Sequence, residues 1–188
     1  TPLQEMEKEL VKALKKELRG DPVYEGFLKH IKGIGPVLSA KLLSLPLKLG
    51  VNLSDWNAYF GLVPFYFKCK CSRGHKFLSA KYPLFCPVCK KNEQPHTILE
   101  VEKVEEIAKP VAGYISFWNP HAKKLYWITT DQFVKLGHRG FYGQLYRKIK
   151  HDYSHRYKDL PPLRIDRRAR RTTFKIFLSH FYTAYHDI

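Results

Sequence analysis

All four cysteines of the chain lie between Cys69 and Cys89, in two tight groups. The first reads Phe67-Lys68-Cys69-Lys70-Cys71-Ser72-Arg73-Gly74-His75, the second Cys86-Pro87-Val88-Cys89. Secreted disulfide scaffolds spread their cysteines along the chain, so this clustering points to one local site and to an intracellular protein. Two knuckles of converging thiolates are what a tetrahedral Zn²⁺ ion requires, and neither a redox pair nor buried free thiols accounts for all four. Cys86-x2-Cys89 with its internal proline is the stronger knuckle. Cys69-x-Cys71 is less regular. The expected ligands are Cys69, Cys71, Cys86 and Cys89, with His75 as the alternative to one of the first pair and His96 in reserve. Four protein ligands leave no open coordination position, so the expected role is structural. A small zinc-ribbon-like unit is therefore predicted over 65–112, linker included, inserted between two stretches of different character.

Those flanking stretches read as helices. Leu3, Met6, Leu10, Val11, Leu14 and Leu18 recur at helical spacing over 3–19, and Gly20-Asp21-Pro22 stops the run. Helices are expected over 23–31 and 36–45, separated by Gly33-Ile34-Gly35. Glycine allows positive φ and close approach of a foreign backbone, and Pro36 suits a first helical turn. Such a hairpin turns its amides outward at a helix start, where a phosphate oxygen is favoured. Ser39 supplies the small residue that lets the two helices close. A turn is expected at 50–53, then a helix through Trp56, Tyr59 and Phe60 capped by Ser54 or Asp55. After the insertion, Asn119 caps a helix with Pro120 at its first position. Further helices are expected over 141–157 and from about Arg164 onward.

Charge narrows the partner. The 188 residues carry 33 Lys+Arg against 17 Asp+Glu, a net +16, while 44% hydrophobic content is enough for a real core. A surplus of that size implies a polyanion, most simply nucleic acid, rather than an anionic membrane surface or an acidic protein. No segment is apolar for long enough to span a bilayer. The cations concentrate in the last helix, where Arg164, Arg168, Arg171 and Lys175 share one face and Arg167 and Arg170 lie beside it. Cations at a helix N-terminus oppose its dipole, which argues for a binding role, with bidentate arginine contacts to phosphate. Lys68, Lys70, Arg73, Lys76, Lys90 and Lys91 make the cysteine unit basic too. Glu100, Glu102, Glu105 and Glu106 form the one acidic cluster and read as a charged solvent face. Trp118 and Tyr126 are candidates for stacking on unpaired bases, with core packing as the alternative.

The Gly33-Ile34-Gly35-Pro36 stretch resembles the helix-hairpin-helix of non-sequence-specific DNA-binding proteins. Some twenty residues later, Tyr59-Phe60-Gly61-Leu62-Val63-Pro64 follows. This pairing is similar to the C-terminal half of transposases of the IS110/IS116/IS902 type, where Pro-Gly-Ile-Gly-Pro precedes Tyr-x-Gly-Leu-x-Pro; here Lys32 stands where that family often has proline. The tail continues the resemblance with Tyr142, Tyr146 and Lys150, then Arg170, Arg171, Lys175, Phe177, Leu178 and His180. The resemblance implies a recombinase whose RNase H-like domain lies upstream and whose serine nucleophile follows the Gly-Leu-x-Pro turn. By position Ser72 and Ser116 are the two candidates.

The fold expected is mainly α: a helix-hairpin-helix-containing helical domain built from 1–64 and 113–188, with the zinc-ribbon (β) insertion over 65–112. The function expected is phosphate-led, weakly sequence-specific DNA binding through Lys32, Gly33, Ile34, Gly35, Lys41, Arg164, Arg167, Arg168, Arg171 and Lys175. The DNA is duplex or branched; a catalytic recombinase completed by a partner domain or a second copy, or a binder of structured or guide RNA, are the alternatives.

Overall fold

The structure, a computed structural model, describes residues 2–47 and 52–187. Its helices are α1 (Pro2–Leu18), α2 (Pro22–Gly26), α3 (Pro36–Leu43), α4 (Leu53–Tyr59), α5 (Pro87–Lys91), α6 (Pro120–Leu136), α7 (Phe141–Arg156) and α8 (Pro162–His186). Three strands, β1 (Tyr66–Cys71), β2 (Lys76–Ser79) and β3 (Ile98–Val104), form one antiparallel sheet in the order β2-β1-β3. The fold is thus mainly α with a small β element. The turn expected at 50–53 falls partly on residues outside those described.

The chain divides into two compact units, residues 54–123 and the remainder on either side. The boundaries fall at Ser54 and Lys123, not at 65 and 112. The reason is local: the Asn119 amide donates to the Tyr59 carbonyl at 2.9 Å, and Gly61, at φ +67, lies under the Trp118 ring and the Lys123 stem. α4 and the return to α6 are thereby tied to the sheet.

In the helical unit, α8 carries the core. Phe174, Phe177, Leu178 and Phe181 are all fully buried. Phe27 stacks on Phe177 and Phe181 with centroids 6.0 and 6.3 Å apart, and Phe133 stacks on Tyr142 at 4.8 Å. Such aromatic pairs contribute beyond their buried area. The pull of Phe27 into this stack shapes the chain locally. Its backbone leaves the helical region (φ −133, ψ −66), so the single helix expected over 23–31 becomes α2 followed by a 3₁₀ turn at Leu28–His30. α7 approaches the end of α6 through Gly143, where a β-carbon would lie 2.1 Å from the Gly137 carbonyl oxygen. Tyr126 and Trp118 are each only 5% exposed, in the cores of their own units. They pack; neither face is open to a base.

α4 begins at Leu53, so Ser54 and Asp55 sit inside its first turn rather than capping it. Asn119 does cap α6, its Oδ1 accepting from the amides of His121 and Ala122 at 2.8 and 3.1 Å. α8 starts at Pro162, two residues before Arg164, because proline's fixed φ suits the first helical position; the Pro161 carbonyl accepts from Arg164 and Ile165.

α8 is tied to α7 and α6 by one carboxylate. Asp166 accepts from Tyr146 Oη, from Lys150 Nζ at 3.0 Å and from Arg170 Nε at 2.8 Å, and Arg170 reaches Asp131 at 3.5 Å. Burial pushes the Asp166 carboxyl up, but these donors outweigh it and hold it below its ordinary value. A depressed folded pKa contributes stability above the unfolded value of about 4, lost as pH falls through the lower folded value. We expect the melting temperature to drop on acidification below about pH 4. Asp166→Asn should remove part of that acid dependence and cost about 2 kcal/mol at neutral pH, read by urea melts. An unchanged acid limb in the variant would place the hub elsewhere.

Candidate metal centre and nucleic-acid interface

β1 alternates. Phe67, Cys69 and Cys71 face one side of the sheet with Phe77, Cys86 and Cys89, and Tyr66 faces the other with Leu78, Ala108 and Trp118. Cys71 ends the strand, and a turn through Gly74 (φ +80) brings His75 back beside it, fixed by Cys71 N–H to His75 C=O at 3.1 Å and Gly74 N–H to Cys71 C=O at 2.9 Å. The second knuckle is the start of α5, with Cys86 at the cap and Pro87 at the first helical position.

Cys71, His75, Cys86 and Cys89 point one ligand atom each into a common centre, all within 4.8 Å of one another. His75 Nδ1 lies 3.5 Å from Cys71 Sγ, 3.8 Å from Cys86 Sγ and 3.3 Å from Cys89 Sγ, and Cys71 Sγ lies 3.9 Å from Cys89 Sγ. A tetrahedral ion with metal–sulfur bonds of about 2.3 Å and metal–nitrogen bonds of about 2.0 Å has S···S edges of about 3.8 Å and S···N edges of about 3.5 Å. The four residues therefore fit a single bound metal ion. Cys69 does not join them. Two positions along a strand are about 6.6 Å apart, which leaves the Cys69 thiol one pleat away from the centre. It is buried among the apolar groups, which push it up to about 11. The alternative ligand, His75, takes its place. His96 is not a ligand either: its Nε2 accepts from the Cys86 amide at 2.8 Å and its Nδ1–H donates to the Gln94 carbonyl at 3.1 Å, bracing the second knuckle.

The ligand electrostatics ask for a cation. Burial opposes the Cys71 thiolate, yet the amides of Arg73 and His75 with the Cys86 and His75 side chains bring it down to about 6. Cys89 is pushed up to about 11 by burial and by the neighbouring thiols. The site thus holds one easily ionised thiol, Cys71, beside one, Cys89, that burial and its neighbours keep protonated, a conflict that a central cation removes.

In the helical unit, Gly33 has φ +95, and a β-carbon there would lie 2.6 Å from Leu136 Cδ1. It faces α6. Gly35 has open space around it, and Lys32 and Lys41 are exposed. Ile34 is buried and its amide donates to the Ile31 carbonyl at 3.1 Å, so of the predicted contact residues Ile34 serves the core. A shallow pocket of about 260 Å³ opens between α3 and α6, bounded by Gly33, Gly35, Lys41, Ile128 and Gln132.

On α8, residues 164, 168, 171 and 175 form one stripe about 16 Å long. Arg164, Arg167 and Arg168 are exposed, and the Arg168 guanidinium lies 4.8 Å over the Tyr157 ring. Arg171 and Lys175 are half-buried. Burial lowers both from their ordinary values, and the neighbouring cations Arg168 and Arg171 add to it. Neither has an ion-pair partner among the described residues. Arg170, by contrast, is spent on Asp166 and Asp131.

The remaining candidates resolve as packing or surface. Ser72 Oγ accepts from the Thr97 amide at 3.1 Å, pinning the first knuckle to the chain entering β3. Ser116 is half-buried beside Ile115, which bridges to Phe77. Neither serine is hydrogen-bonded to a histidine or carboxylate among the described residues. Glu100, Glu102, Glu105 and Glu106 each pair with a lysine on the surface, as a charged solvent face does. No described helix is long and apolar enough to cross a membrane. Comparison with known proteins gives no matching family model, no matching curated protein and no matching solved structure.

We expect one metal ion per chain by elemental analysis. Cys71→Ser and His75→Ala should lose it; Cys69→Ser should keep it, and cobalt loading should give a three-thiolate spectrum. Retention of metal by His75→Ala together with loss by Cys69→Ser would restore the all-cysteine set.

Proposed function

We propose that this chain binds nucleic acid through phosphate contacts, DNA foremost, as the binding part of a transposase-like or recombinase-like protein. Arg171 and Lys175 carry the reading. A half-buried cation without a carboxylate costs stability, and the cost is offset when an anion arrives. Arg164, Arg167 and Arg168 extend the stripe, which matches several successive phosphates of one strand, spaced about 3.4 Å along the duplex axis. The net charge of +16 supplies the long-range attraction. Lys32, Gly35 and Lys41 offer a second contact at the open side of the hairpin, in the manner of a helix-hairpin-helix. Three thiolates and one imidazole suit Zn²⁺, which closes the β unit in the manner of a zinc ribbon and has a structural role. The order of the glycine hairpin, the Gly61–Pro64 turn and the Arg170–His180 segment supports the transposase-like reading. A recombinase completed by a separate catalytic domain would use the same surface.

Salt-dependent binding to duplex DNA tests this. Arg168→Glu/Arg171→Glu should weaken binding tenfold or more and flatten the slope of log K against log salt by about 2. Lys175→Met should lower affinity while raising the melting temperature, by about 1 kcal/mol of stability, since a desolvated charge is removed. Gly35→Val should weaken binding with an unchanged melt; Gly33→Val is no probe, because it strikes Leu136. Unaltered affinity in the charge variants, or Lys175→Met that destabilises, would defeat the proposal.

A further inference from the structure

The β unit exposes a set of aromatic rings that its core does not use. Tyr66, Phe77 and Trp118 are buried in that unit, while Tyr82 is 66% exposed, Leu84 84% and Phe85 45%. Phe65 packs edge-on to Phe67 at 6.0 Å, and Phe67 edge-on to Tyr82 at 5.7 Å, so three rings follow one another across the sheet edge and the adjoining loop. The loop is held at both ends. Ser79 Oγ donates to the Lys81 carbonyl at 2.6 Å at its start, and Cys86 anchors it to the metal centre. Tyr82 is thereby set against Phe67 at the sheet.

Cations sit on these rings. Lys90 Nζ lies 4.0 Å from the Phe85 centroid and Lys103 Nζ lies 5.0 Å from that of Phe65. Lys103 is shared with Glu105 at 2.8 Å; Lys90 has no ion-pair partner among the described residues. Partly exposed rings with ammonium groups on them or close by match a ligand that is itself flat rings alternating with phosphates. Duplex bases are stacked on each other and cannot offer their faces, whereas unpaired bases can. An apolar protein partner would gain from the rings but would have to bury the lysines.

From the Phe65–Phe67–Tyr82 series, with Phe85 three residues beyond Tyr82 in the same loop, we propose that Phe65, Tyr82 and Phe85, together with Lys90 and Lys103, form a stacking platform for single-stranded nucleic acid, distinct from the phosphate stripe on α8. The platform rests on the reading of the chain as a nucleic-acid binder. It gives that binder a preference for substrates with unpaired bases, such as melted or branched DNA, and takes no sequence information beyond stacking strength.

The test uses the full, metal-loaded chain and three probes of about twenty nucleotides: oligo-dT, an abasic strand with the same phosphates, and a duplex. Wild type should bind oligo-dT about tenfold or more tighter than the abasic strand, one stacked base contributing roughly that factor. Tyr82→Ala/Phe85→Ala should abolish the difference and leave duplex affinity, bound metal and the melt unchanged. Tyr82→Trp should retain it and quench on oligo-dT. Equal affinity of wild type for oligo-dT and the abasic strand, with duplex binding still sensitive to Arg168→Glu/Arg171→Glu, would overturn the platform alone. Loss of affinity for all three probes in the double variant would also overturn it, because a stacking role cannot act on an abasic strand. Absence of binding to every probe by wild type would overturn the nucleic-acid reading and the platform with it.

Discussion

The network around Asp166 decides what the rest of the helical unit can do. This carboxylate gathers Tyr146 and Lys150 from α7 and Arg170 from its own helix, and Arg170 carries the connection on to Asp131 of α6. Arg171, the next residue on α8, is turned about 100° away and has no ion-pair partner among the described residues. A single position in sequence thus separates a cation that holds the fold from one with no carboxylate beside it. The aromatic ladder of Phe174, Phe177 and Phe181 lies between these two faces, so α8 can bear charge on both flanks while burying its middle. A buried carboxylate with three donors is stable only if all of them are in place, which fixes the rotation of α8 and with it the direction of the stripe.

The β unit depends on a different economy. Its seventy residues bury Trp56, Phe60, Tyr66, Phe77 and Trp118, while the sheet face that carries the cysteines is covered by a small apolar cluster around Phe77 with Phe67, Val88 and Ile98 against it. On that face a bound metal would add a cross-link between the two knuckles that apolar packing does not supply. The knuckle geometry shows how the sequence prepares for it: Gly74 turns the first, Pro87 starts the helix of the second, and His96 and Ser72 brace them by accepting amide hydrogens at Cys86 and Thr97. The mutual opposition of the Cys71 and Cys89 thiols stores in the protein a demand for positive charge at their centre.

Much of this was legible in the sequence. Helix starts followed from Asn119 and Pro36, and the candidate metal site from cysteine clustering. What could not be read was set by tertiary contact. Spacing alone treats Cys69 and Cys71 alike; only the position of the strand end, at Cys71 and two residues past Cys69, decides between them. The helix expected over 23–31 yields at Phe27 because a ring from α8 is a stronger partner than one more helical hydrogen bond. Gly33 and Gly35 look equivalent in a Gly-Ile-Gly motif, yet one is pressed against Leu136 and the other stands open. The exposed rings at Tyr82 and Phe85 carry no periodicity at all, and an aromatic in a loop is invisible as a surface until the core is known to be complete without it.

The two kinds of contact differ in what they ask of the protein. The α8 stripe holds cations that are partly desolvated before any ligand arrives, so the free protein is less stable than an apolar replacement would make it. Retaining Arg171 and Lys175 at that cost favours a role outside the fold. The exposed rings cost the fold little, since scattered surface aromatics are tolerated, and Tyr82 rests against Phe67, which packs on the cysteine cluster. Such packing lowers the entropy lost on stacking, so a small platform can still discriminate bases from bare phosphates. In the binding mode we propose, phosphate attraction sets how tightly the chain binds and stacking sets which conformation of the nucleic acid it prefers; the first fades with salt and the second persists.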